Sequence, residues 1–466
     1  MSHTGTLERS GAWRSEIAAT LTLAWPLAAA NLLQMLVYAV DVIFVARLGE
    51  LSLGATSLSI ALFGTVAWAL SGLTAMVSAL IAAAIGRGTG IVREVRRATR
   101  MALWLAVMFG LAVTAMCQFA EPIMLAADQE PEIARLAGTF LPLLGWAAVP
   151  ILISNVLRSY VAALGRPIFA TVIIAGAVLV AVLGNYTFVF GHFGAPAMGI
   201  RGSALAGVIT SSCTALAYVV AVQSDRRLAR FHIFGRLWSP DWHYFRTLLI
   251  LGAPVFGTVL AEAALFNGAA FMMGLIGPAE LAGHTIALQI AAFAFQVPFG
   301  VGQAATIRVG YYYGAGDHEG IRRAGTSAML IGGGFMTITA SAMLFAPHTL
   351  LRLYIDPYAP ANLAMAAFAV RFMTVAAGFQ LFDGMQAVTG GALRGLQDTR
   401  VPMAIALIGY WVPGLGAMVW LGFYTPLAGT GIWLGLLVGL VAVAGSLFFR
   451  WTRRARFGLL PRRDTA

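Results

Sequence analysis

Residues 37–49 read VYAVDVIFVARLG, and the single carboxylate in this run, Asp41, stands among side chains that belong in hydrocarbon. The apolar block around it extends over 17–44, longer than the ~20 residues that cross a bilayer as a helix. Blocks of the same kind recur along the whole chain of 466 residues, which is 59% hydrophobic and only 11% charged. Soluble globular domains carry about 25% charged residues, so this chain reads as a polytopic membrane protein.

The blocks fall at 17–44, 52–84, 98–120, 134–158, 168–190, 200–222, 247–276, 280–309, 324–346, 362–389, 401–422 and 427–449, which predicts twelve spans. Several exceed the minimum crossing length, implying tilt, bends or extension into the interface. Arginines gather at Arg87, Arg93, Arg96, Arg97 and Arg100, at Arg226, Arg227, Arg230, Arg236 and Arg246, at Arg308, Arg322 and Arg323, and at Arg450, Arg453, Arg454 and Arg456. With Arg9 and Arg14 on the cytoplasmic side, these clusters follow even-numbered spans, as expected of cytoplasmic loops facing an anionic leaflet. Both termini are then expected in the cytoplasm.

The same distribution argues against nucleic-acid binding as the origin of the net charge of +11. Cys117 and Cys213 lie in apolar blocks and read as small hydrophobic filler, not as a disulfide framework or metal site. The N-terminal segment lacks a separate short apolar region with a small-residue cleavage site, so the first block is expected to be a retained span. Enzyme chemistry finds no support: no GxxxxGK[ST] loop, no HExxH and no metal-spaced Cys/His cluster occurs. No cofactor or structural metal is expected.

The longest polar segment, near 223–244, separates six spans from six, and Ser239-Pro240-Asp241-Trp242 reads as a turn or helix start at the interface. The halves echo one another. Ala24-Trp25-Pro26 corresponds to Ala253-Pro254, and Arg47-Leu48-Gly49 to Leu275-Ile276-Gly277. Gly88-Thr89-Gly90 with Arg96-Arg97-Ala98 precedes Gly314-Ala315-Gly316 with Arg322-Arg323-Ala324 by 226 residues, and Gly199 and Gly202 resemble Gly429 and Gly431. Six spans return the chain to its starting side, so the copies are parallel repeats, expected about an axis along the membrane normal with a central cavity. The expected layout is an N-terminal lobe at 1–222, a cytoplasmic linker at 223–246, a C-terminal lobe at 247–450 and a basic cytoplasmic tail at 451–466.

Three acids lie within spans: Asp41, Glu262 and Asp383. An isolated ionised carboxylate there must pair, hydrate, bind a cation or take a proton. Glu262 follows Pro254 by eight residues, about 12 Å along a regular helix, a depth Asp383 can share. A cation held between the two would relieve both charges, and so would protonation. Sodium needs further oxygen ligands, for which helix carbonyls, water and Asn267 are candidates. Asp41 has Gln34 and Tyr38 on about the same helical face, with Asn31 a turn further, and Asn185 beside Tyr186 is placed to approach from the fifth block. Asp41 is thus a second titratable switch or an acid bonded structurally to Asn185.

Gln289, Gln303, Gln380 and Gln386 are amides within spans that line a wet path or tie helices together. His284 is either a titrating group or interfacial. Pro26, Pro254 and Pro298 are candidate bends, and Gly390-Gly391 a loosening of the tenth block after Asp383.

The acids, the doubled halves and the turns resemble the multidrug and toxic compound extrusion (MATE) transporters, and within them the bacterial NorM-like branch. The resemblance covers about 17–450 and is carried most specifically by Ala24-Trp25-Pro26 with Asp41, by PFGVGQAATIRVGYYYGAG at 298–316, and by FDGMQAVTGGALRGLQDTRVP at 382–402. It implies a multi-pass protein of the bacterial inner membrane, with the lipid bilayer as a partner, that exports small amphipathic, mostly cationic compounds by alternating access. It also implies coupling to sodium or protons, with Asp41 as the N-lobe acid and Glu262 and Asp383 as the C-lobe cation-site acids. The chain departs from the pattern at Phe379, where a tyrosine is common, and at Ala181, where an asparagine is common. Glu262 with Asp383 leans towards sodium, whereas Asp41 keeps protons open. A monomer is expected. A lipid-linked precursor flippase of related fold is the alternative, calling for a strongly cationic cavity; a passive channel or structural membrane protein would carry out no stoichiometric exchange.

Overall fold

The computed structural model describes residues 3–461, with side chains from 11 to 461. The Arg9 side chain and the last residues of the expected basic tail lie outside that range. All regular structure among the described residues is helical, and twelve helices are long and apolar enough to span a membrane. They are α1 (Gly11–Ala46), α2 (Glu50–Arg87), α3 (Ile91–Cys117), α4 (Pro131–Ala163), α5 (Ile168–Phe190), α6 (Ile200–Ser224), α7 (Trp242–Ile276), α8 (Pro278–Gly314), α9 (His318–Phe345), α10 (Pro360–Gly395), α11 (Arg400–Phe423) and α12 (Gly429–Thr452). Even the shortest, α5 with 23 residues, rises about 35 Å, enough to cross the ~30 Å hydrocarbon layer.

The helices overrun the apolar blocks where polar residues continue the turn. The seventh begins at Trp242 instead of 247, because Asp241 accepts a bond from the Tyr244 amide at 3.4 Å and so caps the start. The Asp241 carboxylate also pairs with Arg97. Burial alone would raise this carboxyl, but the Arg97 hydrogen bond and charge hold it below its ordinary value. The polar segment before it is tied down as well, since the Arg236 and Leu237 carbonyls accept from Arg100 at 3.0 Å and Trp104 at 2.8 Å.

The chain divides into two compact units. One contains the segment through Ala28 and everything from Gly257 on; the other is Ala29–Phe256. In the first unit Glu16 receives Arg308 in a two-pronged pair, Nε to Oε1 at 2.8 Å and Nη2 to Oε2 at 2.6 Å, and also accepts from the Tyr312 hydroxyl at 2.7 Å. A bidentate pair of this kind holds the start of α1 to α8. The six-and-six lobe boundaries drawn from the sequence remain a proposal.

Repetition is visible in backbone geometry. Gly88, Gly90 and Gly316 all have positive φ, at 75°, 62° and 69°, so the glycine turns of the two halves use the same left-handed conformation. At the later match, a Cβ on Gly202 would strike the Phe188 carbonyl and one on Gly431 the Leu421 carbonyl. Each glycine lets the last helix of its half lie directly on the preceding helix.

The α8 and α10 pair is held by a seam of small residues. A Cβ on Gly391 would collide with the Gly302 backbone, and one on Gly395 would come within 2.9 Å of the Thr306 carbonyl. The Thr306 hydroxyl lies 2.9 Å from the Gly391 carbonyl and 3.0 Å from that of Gly302. Small residues four apart allow such backbone approach between membrane helices. Helix α10 runs unbroken through Gly390 and Gly391, so close packing accounts for Gly391 without flexing. Gly391→Val is therefore expected to destabilise the protein by about 1–3 kcal/mol, read as a lower melting temperature of the detergent-purified protein. Gly390→Ala, whose methyl would meet only an Arg394 atom at 4.0 Å, should melt close to wild type; equal melting of the two variants contradicts the seam.

Candidate cation and substrate sites

Glu262 on α7 and Asp383 on α10 act on one another electrostatically. The link between their helices is Gln386, one turn beyond Asp383, whose Nε2 donates to Glu262 Oε1 at 3.4 Å. Asp383 is only 5% exposed and its Oδ1 has no hydrogen-bond partner. Gln386 Oε1 is likewise buried without a partner.

Two further residues complete the electrostatics. Arg394, from the GALRG stretch, acts on Glu262 as the opposing charge. Tyr410 on α11 is fully buried and feels both acids, with the Gln386 side chain beside its hydroxyl. It opens a π-helical turn, Tyr410–Gly414, that contains Pro413. Proline has no N–H to give to the fourth residue back, and the widened turn absorbs that loss. Buried oxygens without partners need an explanation, and an oxygen-rich set with two carboxylates suits a hard cation or a proton. Among the described residues no three His, Cys, Asp or Glu side chains gather as a transition-metal site would require.

The other candidates of this half divide by facing. Asn267 is exposed and donates to its own helix at the Ala263 carbonyl, 2.9 Å away, so its amide nitrogen serves the backbone and not Glu262. Gln380 is buried and donates to the Ala291 carbonyl at 2.9 Å, a tie from α10 to α8. Gln289 is exposed and Gln303 partly buried, its Oε1 unpartnered; among the described residues no hydrogen bond joins either to the acids. Phe379 is core, edge-on to Phe266 and Trp433 at 5.8 and 5.7 Å between centroids. His284 is 1% exposed and packs against Trp433 at 5.5 Å, which is a buried, not an interfacial, position. Helices α1, α7 and α8 continue through Pro26, Pro254 and Pro298.

In the unit Ala29–Phe256, the buried Asn185 on α5 donates its Nδ2 to Asp41 Oδ1 at 2.7 Å and to the Ala181 carbonyl at 2.9 Å. Gln34 and Asp41 are partly buried and Tyr38 is 42% exposed, so this face of α1 is not packed shut. Tyr38 lies in the field of Asp41 and also of Arg158. In the sequence Tyr410, Arg394 and Arg158 carry no distinguishing mark beyond being polar groups inside or at the end of apolar blocks.

The family model MatE matches this chain twice, over residues 26–187 and 254–418, so the copies begin at Pro26 and Pro254. The chain is 44% identical over 444 residues to the probable multidrug resistance protein NorM of Mesorhizobium japonicum, covering 95% of both. It is 35% identical over 456 residues to the multidrug resistance protein NorM of Burkholderia vietnamiensis, covering 97% of both. Its fold is similar to the crystal structure of a eukaryotic MATE transporter, with TM-score 0.83 at 18% identity over 96% of this chain and 100% of that one.

Ionised together with no cation between them, Glu262 and Asp383 repel one another and oppose folding. In sodium-free buffer at pH 8, Asp383→Asn is expected to melt higher than wild type, by about 1 kcal/mol in stability. A lower melting point would show that the Asp383 charge is already fully compensated within the protein.

Proposed function

The chain belongs to the MatE family, and from that premise we propose that it exports amphipathic, mostly cationic drugs or toxic compounds in exchange for sodium or protons. It is a multi-pass membrane protein and a secondary active transporter, not an enzyme. The observation that carries the proposal is the pair of carboxylates, Asp383 buried and Glu262 partly buried, set among oxygens without partners. Such a group changes its free energy sharply when a cation or proton arrives, which is what a coupling site requires. Asp41, held by Asn185, is the proposed second switch.

Antiport needs reciprocity: cation binding must disfavour substrate in the state that releases it, and the two free energies are linked even when the sites are separate. Apolar and aromatic walls with few carboxylates accept diverse lipophilic cations through area burial and cation-π contact. The names of the bacterial relatives support a multidrug substrate range. We propose further that it works as a monomer in the bacterial inner membrane, and the arginine distribution supports cytoplasmic termini.

Substrate-driven counterflow in proteoliposomes, with sodium and proton gradients imposed separately, tests this. Export under a sodium gradient is expected to fall at least tenfold in Asp383→Asn if the C-terminal acids carry sodium. Export driven only by protons and lost in Asp41→Asn assigns the switch to the N-terminal acid. Transport that persists with both gradients collapsed and in both variants overturns antiport and leaves a passive channel.

A further inference from the structure

Several arginines on the long helices of this protein meet an acid directly. Arg308 has Glu16 at 2.6 Å and Arg450 has Asp398 at 2.5 Å, and Arg97 pairs with Asp241. Arg394, near the end of α10, touches no carboxylate, and among the described residues it takes part in no salt bridge. Its guanidinium nevertheless stays with the helix. A Cβ on Gly390 would lie 4.0 Å from Arg394 Nη1, so the side chain runs back along α10 by one turn, the direction in which helical side chains lean. The residue is partly buried there.

A guanidinium keeps its charge at any physiological pH, and holding that charge in a low-dielectric setting calls for an opposite charge nearby. The face of α10 on which Arg394 lies supplies one. Asp383, Gln386, Gly390 and Arg394 follow at intervals of three, four and four residues, the spacing of a single helix face. From this face Gln386 donates to Glu262 at 3.4 Å, and among the described residues no other side chain hydrogen-bonds that carboxylate. The Arg394 guanidinium, folded back to the height of Gly390, lies about one turn, ~6 Å, beyond Gln386, and it and Glu262 act on one another electrostatically. On the neighbouring face Gly391 and Gly395 lie against the backbone of α8, a seam that fixes the height of Arg394 relative to the acids. The remaining titratable group that feels both acids is Tyr410 on α11.

We propose that Arg394 is the resident counter-cation of the Glu262 and Asp383 pair, standing in for the coupling ion while the site is empty and yielding to it when it binds. The inference rests on the coupling role proposed above for these acids and adds what holds them between ions. Two ionised carboxylates and one guanidinium leave one net negative charge, which one monovalent cation neutralises. The guanidinium touches neither acid, so an entering cation need break no bidentate pair; it meets only the repulsion of a like charge. Arg394 thus lowers the affinity for the ion and eases its release, while the empty acids keep an opposite charge within reach. Without Arg394 the acids would hold the ion more tightly and fare worse without it.

The test follows melting of the purified full-length protein at pH 8, first in sodium-free buffer and then along a sodium titration; if protons are the coupling ion, acidification from pH 8 to 6 replaces the titration. Without the ion, Arg394→Gln is expected to melt below the wild type, and saturating ion should remove the difference. Half of the stabilisation should need at least tenfold less ion in Arg394→Gln, whereas Arg394→Lys, which keeps the charge, should titrate close to the wild type. In a Glu262→Gln background, Arg394→Gln should lose most of its effect, because the acid it answers is gone. A melting loss that is equal with and without the ion, or that persists in the Glu262→Gln background, marks a merely structural arginine and overturns the proposal. If Arg394→Gln alone does not fold, rescue of folding by Glu262→Gln supports the proposal and failure of that rescue overturns it. A wild type that responds to the ion, with Arg394→Gln responding over the same concentrations, overturns the counter-cation and leaves the coupling role of the acids standing. A wild type that responds to neither sodium nor protons overturns that coupling role, and the counter-cation falls with it.

Discussion

A charge set among apolar helices must be answered by an opposite charge, by dipoles, by a proton or by a bound ion. The unusual features of this chain follow from the different answers it uses. Glu16 and Arg308 answer one another directly, in a bidentate pair closed by Tyr312. Asp41 is answered by one amide, from Asn185. Glu262 and Asp383 are answered incompletely, by Gln386 at long hydrogen-bond range and by the charge of Arg394, while they also repel one another. Direct pairs hold structure together. Incomplete ones leave free energy for an incoming ion to change, and those are the groups proposed to couple transport.

Packing puts the incompletely answered groups where they are. Asp383 lies two turns before Gly391, whose missing side chain lets α10 rest on the backbone of α8 at Gly302. Thr306 closes the same seam with a hydroxyl between two carbonyls, and Gln380 adds a tie to Ala291 on the other side of the acid. Asp383 is therefore carried on a rigid segment, fastened above and below. In a bilayer, where apolar surface gains little by meeting other apolar surface, such backbone approach and interhelical hydrogen bonds supply the adhesion. Tyr410 reaches the acids from a π-helical turn that Pro413 imposes on α11, an irregularity of the sort that recurs at functional sites.

Much of the fold was legible in the chain because span length and arginine distribution are one-dimensional properties. Twelve apolar blocks became twelve helices, and the glycine turns that marked the two halves share a left-handed conformation. The family model's two copies begin at the prolines that opened each half of the sequence comparison. Helix ends were less legible, since polar residues such as Asp241 extend a helix past the apolar run that announces it. The acids were legible too, because a carboxylate in an apolar block is conspicuous on cost alone.

What the sequence determined by itself is which residues are expensive where they stand: Asp41, Glu262 and Asp383, each a lone charge in a span. Only the tertiary structure decided what meets them. Asn267, close to Glu262 in the chain, turns back to its own helix, while Gln386, 124 residues away, reaches it. Asn185 finds Asp41 across 144 residues, and Arg158 finds Asn31 across 127. Phe379, at a place where an oxygen was sought, joins the aromatic core, and Tyr410 brings its hydroxyl toward the acids from another helix. The physical reason is that burial cost belongs to a residue and its immediate segment, whereas a partner is fixed by which faces of different helices the packing turns toward one another.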